Sequence, residues 1–268
     1  MTGSAVFVGV LRRELRLLLL TSVGWWVLGL WSFLVSVLFW LELQSFEVMQ
    51  QRALLLNDPE VLRLLDFNEL LLGSLFSHVQ LVLLFVVPIL TMRMFAEEKQ
   101  RGTIDLFLLS PAPPGVWALA KIAAGFVVVS GLVAWLLVYA VVLSWAGGGA
   151  PGAAGGSVDW AQVATGLLGT SLTGCLAVVV GAGASAVVDT PVAAAVGAFV
   201  VLLLGWFLSD IAARLSGGVA GLLRSISPQA HIESFARGVL QAGDLSYFAT
   251  TLTGGCLVVA LLMSGGRR

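Results

Sequence analysis

Charge is what this sequence has least of. Only 11% of its 268 residues are Asp, Glu, Lys or Arg, where a soluble domain carries about a quarter. So few charges could not cover the apolar surface of a chain this size, which excludes a water-soluble globular fold. Lysine occurs twice, as Lys99 in EEKQRG and Lys121 in ALAKIA. Neither follows the G-x-x-x-x-G that cradles nucleotide phosphates, so any ATP chemistry is expected in another chain. Histidine also occurs twice, no HExxH is present, and no serine, histidine and acid can be grouped from spacing. Cys175 and Cys256 both sit inside apolar runs, where a disulfide framework or a zinc site is not expected, and they read as small hydrophobes. Fourteen basic against fifteen acidic side chains give a net charge of -1, without the concentrated basic charge of a nucleic-acid binder.

What the sequence has is apolar length. Hydrophobic residues make up 59% of the chain and the mean hydropathy is +1.00. The runs suit helices crossing about 30 Å of hydrocarbon, and the ten-residue alternation of an outer-membrane barrel is missing. The expected fold is all-α and polytopic, a single transmembrane domain over residues 1–268. Spans are expected at about 23–41, 70–92, 116–145, 163–188, 192–208 and 247–263. Ahead of them, residues 6–20 carry Arg12, Arg13, Glu14 and Arg16 within an apolar pattern. A signal peptide would place its charges before the apolar core, so the segment reads as an interfacial amphipathic helix, with extension of the first span as the alternative. Trp25, Trp26, Trp31 and Trp40 are expected at or near the interfaces.

The segment 42–69 holds six acids and two arginines around Asn57-Asp58-Pro59, and is expected as a loop with short helices. The glycine-rich stretch in 146–162 reads as a flexible turn, Asp189-Thr190-Pro191 as a tight one, and 209–246 as short or re-entrant helices. Six crossings put both termini on one side. With the N-terminus inside, inner segments hold nine Lys or Arg and outer segments five. By the positive-inside rule both termini are cytoplasmic, 93–114 is a cytoplasmic loop, and 42–69, 146–162 and 209–246 are external.

The most informative stretch is MRMFAEEKQRGTIDLFLLSP, residues 92–111. Paired acids, alternating charge, a Gly102-Thr103 break and an amphipathic string before a proline suit a short helix that docks into a groove on a partner. A merely solvated loop is the alternative.

FAEEKQRGTIDLFLLSP resembles the signature that follows the second span of type-2 ABC exporter permeases. The similarity is to the subgroup with the gliding-motility permease and the permease of nitrous-oxide reductase maturation. The interfacial helix, the six-span plan and the late HIESFARGVLQAGDLSYF extend it over essentially the whole chain. It implies that Phe95, Glu97, Glu98, Arg101, Gly102, Thr103 and Asp105 form a region coupling to a separate ATPase subunit, which binds ATP and Mg. It further implies a homodimer in a bacterial inner membrane, and some relatives pass force to an external or periplasmic partner instead of passing a solute. Substrate is not implied, and membrane lipid is the remaining expected contact.

An ion-coupled secondary transporter is the competing class, since intramembrane polar residues mark ion and substrate paths. His78 and Gln80 are the candidates, either for a pathway or as structural polar groups. Asp210 and Arg214 are spaced as an ion pair on one helical face. His231 and Glu233 are too few for a metal site. Gly166, Gly169, Gly174, Gly181 and Gly183 permit close helix packing, within the bundle or across a dimer seam.

Overall fold

The computed structural model describes residues 3–56, 68–103, 113–147 and 158–265. All regular structure among them is helical. The order is α1 (Gly3–Leu20), α2 (Ser22–Leu56), a π-helical turn (Asn68–Gly73), α3 (Ser74–Thr91), α4 (Ala96–Gln100), α5 (Pro114–Ala134) and α6 (Leu137–Gly147). Next come α7 (Trp160–Val187), α8 (Pro191–Arg214), α9 (Gly218–Ile226), α10 (Pro228–Ala236) and α11 (Ala242–Gly265). Six stretches are long and apolar enough to cross a bilayer: α2, α3 with its flanking turns, α5 with α6, α7, α8 and α11. This is a polytopic, multi-pass helical membrane protein. Asp105 with the rest of 104–112, the tip around Asp58, and 148–157 lie outside the described residues.

Several elements run past their expected ends. α2 continues to Leu56, because VMQQRALLL keeps the helical spacing and joins the first span instead of standing apart in a loop. Helix α8 likewise reaches Arg214. A third difference lies inside the third span, which is interrupted between Ala134 and Leu137. There the amide of Leu136 donates to Val133 O, which leaves Leu132 O without its usual partner four residues on. The indole Nε1 of Trp31 donates to that carbonyl at 2.9 Å. Within hydrocarbon a freed backbone carbonyl must find a donor, so Trp31 is a buried structural residue, 1% exposed, and not an interface anchor. Trp25, Trp26 and Trp40 are exposed.

At the centre stands α7. Its most apolar window is 61% buried, against 11% for those of α2, α8 and α11. Around it pack α3, α5, α8, α10 and α11. Three of them, α3, α5 and α10, close in over glycines of α7. A Cβ at Gly166 would strike the Phe76 ring of α3, at Gly169 Cβ of Phe235 on α10, at Gly174 Val129 of α5, and at Gly181 Thr91 of α3. The glycine positions of α7 therefore serve packing within the bundle. Asp159 starts the helix, accepting from the amides of Ala161 (2.9 Å) and Gln162 (3.4 Å).

Candidate functional site

The charged stretch after α3 lies at the bundle end that also holds Lys121 of α5 and the α7–α8 turn. Five residues make α4, too few for a stable isolated helix, so its position comes from tertiary contacts. Ser185, fully buried on α7, provides the first. Its Oγ accepts from the amides of Phe95 and Ala96, both at 3.0 Å, and donates to Met92 O at 3.1 Å. These bonds satisfy amides at the start of α4 that no intrahelical carbonyl can reach.

Lys121 is the second anchor. Its side chain is 3% exposed, and Nζ donates to Met94 O at 2.6 Å and to Glu98 Oε1 at 2.8 Å. Glu14 Oε1 of α1 stands 3.4 Å from the same ammonium. One buried cation thus ties α1, α4 and α5 together, with the Trp117 ring centroid 4.8 Å away and that of Phe95 at 5.6 Å. Arg13, 4.0 Å from Glu14, adds positive charge beside the two carboxylates. Phe95 is fully buried and meets Trp117 edge to face at 5.5 Å.

Lys99 forms the third contact, donating to Ala186 O and standing 3.8 Å from the exposed Asp189. At the far end of α4, Gly102 adopts φ 66°. The amide of Thr103 returns to Glu98 O and that of Gly102 to Lys99 O, each at 3.0 Å, a Schellman closure that favours glycine at this position.

These contacts sort the expected coupling residues by direction. Phe95 and Glu98 point inward. Glu97 and Arg101 pair at 2.6 Å away from the Lys121 cluster, with the side chains 30% and 70% exposed, at the edge of a cleft against α1 and α3. Gly102 and Thr103 close the helix, and Asp105 lies outside the described residues. Arg12 and Arg16 are exposed on α1. Sequence reasoning missed Lys121, Glu14 and Ser185 as members of this cluster. A single lysine in the apolar run VWALAKIAAGF was the available signal, since an ionisable group in a span needs a partner.

At the opposite end, His78 Nδ1 lies 2.6 Å from Glu42 Oε1 and 2.9 Å from Ser74 O. Gln80 is buried, and both residues line a cleft of about 340 Å³ beside Trp206 and Gln229. Asp210 and Arg214 are exposed on α8 and form no ion pair with each other. His231 is held by Asp244, with Nδ1 2.8 Å from Oδ1, and stacks on Tyr247 at 4.1 Å. Ser234 Oγ donates to the other oxygen of Asp244.

No protein-family model matches the chain, and neither does any curated protein.

Proposed function

We propose that this chain is the membrane subunit of an ATP-driven exporter or force-transmitting complex, with α4 as the docking point for a separate ATPase subunit. The observation that carries the reading is the two-sidedness of α4. Its inner face is fastened to α1, α5 and α7 through Glu98, Lys121, Phe95 and Ser185, while the other side carries the exposed Arg101 and its half-buried partner Glu97. Such a helix is rigid toward the bundle and charged toward a partner, so a push on it is passed to three helices at once. The resemblance of FAEEKQRGTIDLFLLSP to type-2 ABC permeases supports the same role. Under this reading the Lys121 end faces the cytoplasm, the protein works as a homodimer in a bacterial inner membrane, and ATP and Mg are bound by the partner.

The test is co-purification with the cognate ATPase and measurement of vanadate-sensitive hydrolysis. Glu97→Ala with Arg101→Ala is expected to abolish association while the membrane protein stays folded, since the two side chains pair with each other and neither joins the Lys121 cluster. Glu98 is unsuitable for this purpose, because its loss disturbs the Lys121 cluster. Undiminished association and turnover in the double variant would remove the docking role. Proton-driven transport by the chain alone would favour the ion-coupled class instead.

A further inference from the structure

Beside the Lys121 cluster, between α1, the start of α2 and the end of α3, opens a cleft of about 600 Å³. Its lining divides in two. Leu17, Leu18, Val27, Ile89 and Leu90 form an apolar part at the level of the last turn of α3 and the first turns of α2. Arg13, Arg93 and Arg101 contribute to a charged part at the end of the bundle. Filled with water alone, the cleft would wet five aliphatic side chains. A wholly apolar occupant would desolvate the arginines. An occupant that is itself amphipathic meets both halves.

The sign of the charged part follows from exposure. Lys121 takes up Glu14 and Glu98, whose side chains are 12% and 14% exposed. Glu97 is held by Arg101. The Arg13 side chain, 4.0 Å from Glu14, is nonetheless 52% exposed, and Arg93 is exposed with no ion-pair partner among the described residues. The acids are turned into the protein and the cations out of it, so the mouth is positive.

We infer that this cleft binds an anionic phospholipid of the surrounding bilayer, its headgroup against Arg13 and Arg93 and one acyl chain along Leu17, Leu18 and Ile89. Basic pockets between spans select anionic headgroups in this way, and the exposed Arg12 and Arg16 of α1 add to the same field. The occupant would wedge α1 against the α3–α4 corner. The site does not depend on the ATPase reading, because every residue in it belongs to this chain.

Native mass spectrometry on the delipidated full chain tests this, using phosphatidylglycerol and phosphatidylcholine with identical acyl chains. The wild type is expected to retain phosphatidylglycerol in preference. Arg13→Gln with Arg93→Gln should reduce that preference by roughly tenfold or more, each arginine near an anionic surface being worth about 1 kcal/mol. Leu18→Trp, which fills the apolar part, should lower retention of both lipids, and Arg214→Gln at the other end should change neither. Equal retention of the two lipids by the wild type, or an unchanged preference in the double arginine variant, overturns the inference. Should the double variant fail to fold, wild-type protein is labelled with phosphatidylglycerol carrying a photoreactive acyl chain. Adducts concentrated on residues 17–27 and 89–94 support the site, and adducts spread over α8 and α11 refute it.

Discussion

Lys121 Nζ and Glu98 Oε1 lie 2.8 Å apart at the junction of α4 and α5, with the lysine 3% exposed and Glu14 on the ammonium's other side. Removing the cation alone leaves two enclosed carboxylates facing each other, and loss of one partner of a buried pair typically costs 3–5 kcal/mol. Lys121→Met is therefore expected to destabilise the protein by about 3 kcal/mol, read by denaturant titration in detergent. The triple change Lys121→Met, Glu14→Gln, Glu98→Gln should recover much of that loss. A single variant as stable as wild type would show that the cluster contributes nothing.

Ser185 offers a test that is local. Its hydroxyl serves the amides of Phe95 and Ala96 together with Met92 O, so Ser185→Ala strands two buried donors and one acceptor. Each unsatisfied group costs about 1–3 kcal/mol. The expected result is faster amide hydrogen exchange at Phe95 and Ala96, with the interior of α7 unchanged. Unaltered exchange at both amides would mean that α4 is positioned by other contacts.

How far the sequence reaches can be judged at these same residues. Six spans, α1 and a short helix after the second span were legible because apolar length and interruption by charge are one-dimensional properties. The direction of each side chain on α4 was not. Glu97 and Glu98 are adjacent in the chain and alike in chemistry, yet one pairs with Arg101 and the other meets Lys121, 23 positions away. Ser185 gave no signal at all, since a serine in GAGASAV reads as one more small packing residue. Trp31 misled for a related reason: grouped with Trp25, Trp26 and Trp40 it reads as an interfacial indole, whereas it stands in the middle of 23–41 and answers a carbonyl freed by a break in another helix. Pairings across the bundle depend on helix rotation, which apolar periodicity defines poorly when a helix is apolar all round.

The glycines of α7 separate packing from permissiveness. A Cβ at Gly169 would sit 2.6 Å from Cβ of Phe235, whereas one at Gly131 on α5 would meet nothing within 4 Å. Gly169→Ala should cost roughly 1–3 kcal/mol through overpacking, and Gly131→Ala should be neutral or stabilising by up to about 1 kcal/mol through helix propensity. Comparable unfolding midpoints for the two variants would contradict the close approach of α10 to α7.

Asp244 binds the opposite end together. Its carboxylate accepts from Ser234 of α10 and stands 2.8 Å from His231 Nδ1, while His231 Nε2 lies 3.3 Å from Ser225 O of α9. One acid at the start of α11 therefore ties α9 and α10, nine residues each and too short to hold position unaided, to the last span. Asp244→Ala removes both bonds to the carboxylate, and the expected loss is about 1.5–3 kcal/mol, as for hydrogen bonds to a charged group. Because α10 also packs on α7 through Phe235, the damage should stay local. Limited proteolysis should show new cleavage within residues 215–241, with the six spans intact. A digestion pattern identical to wild type would demonstrate that apolar packing alone holds α9 and α10 in place.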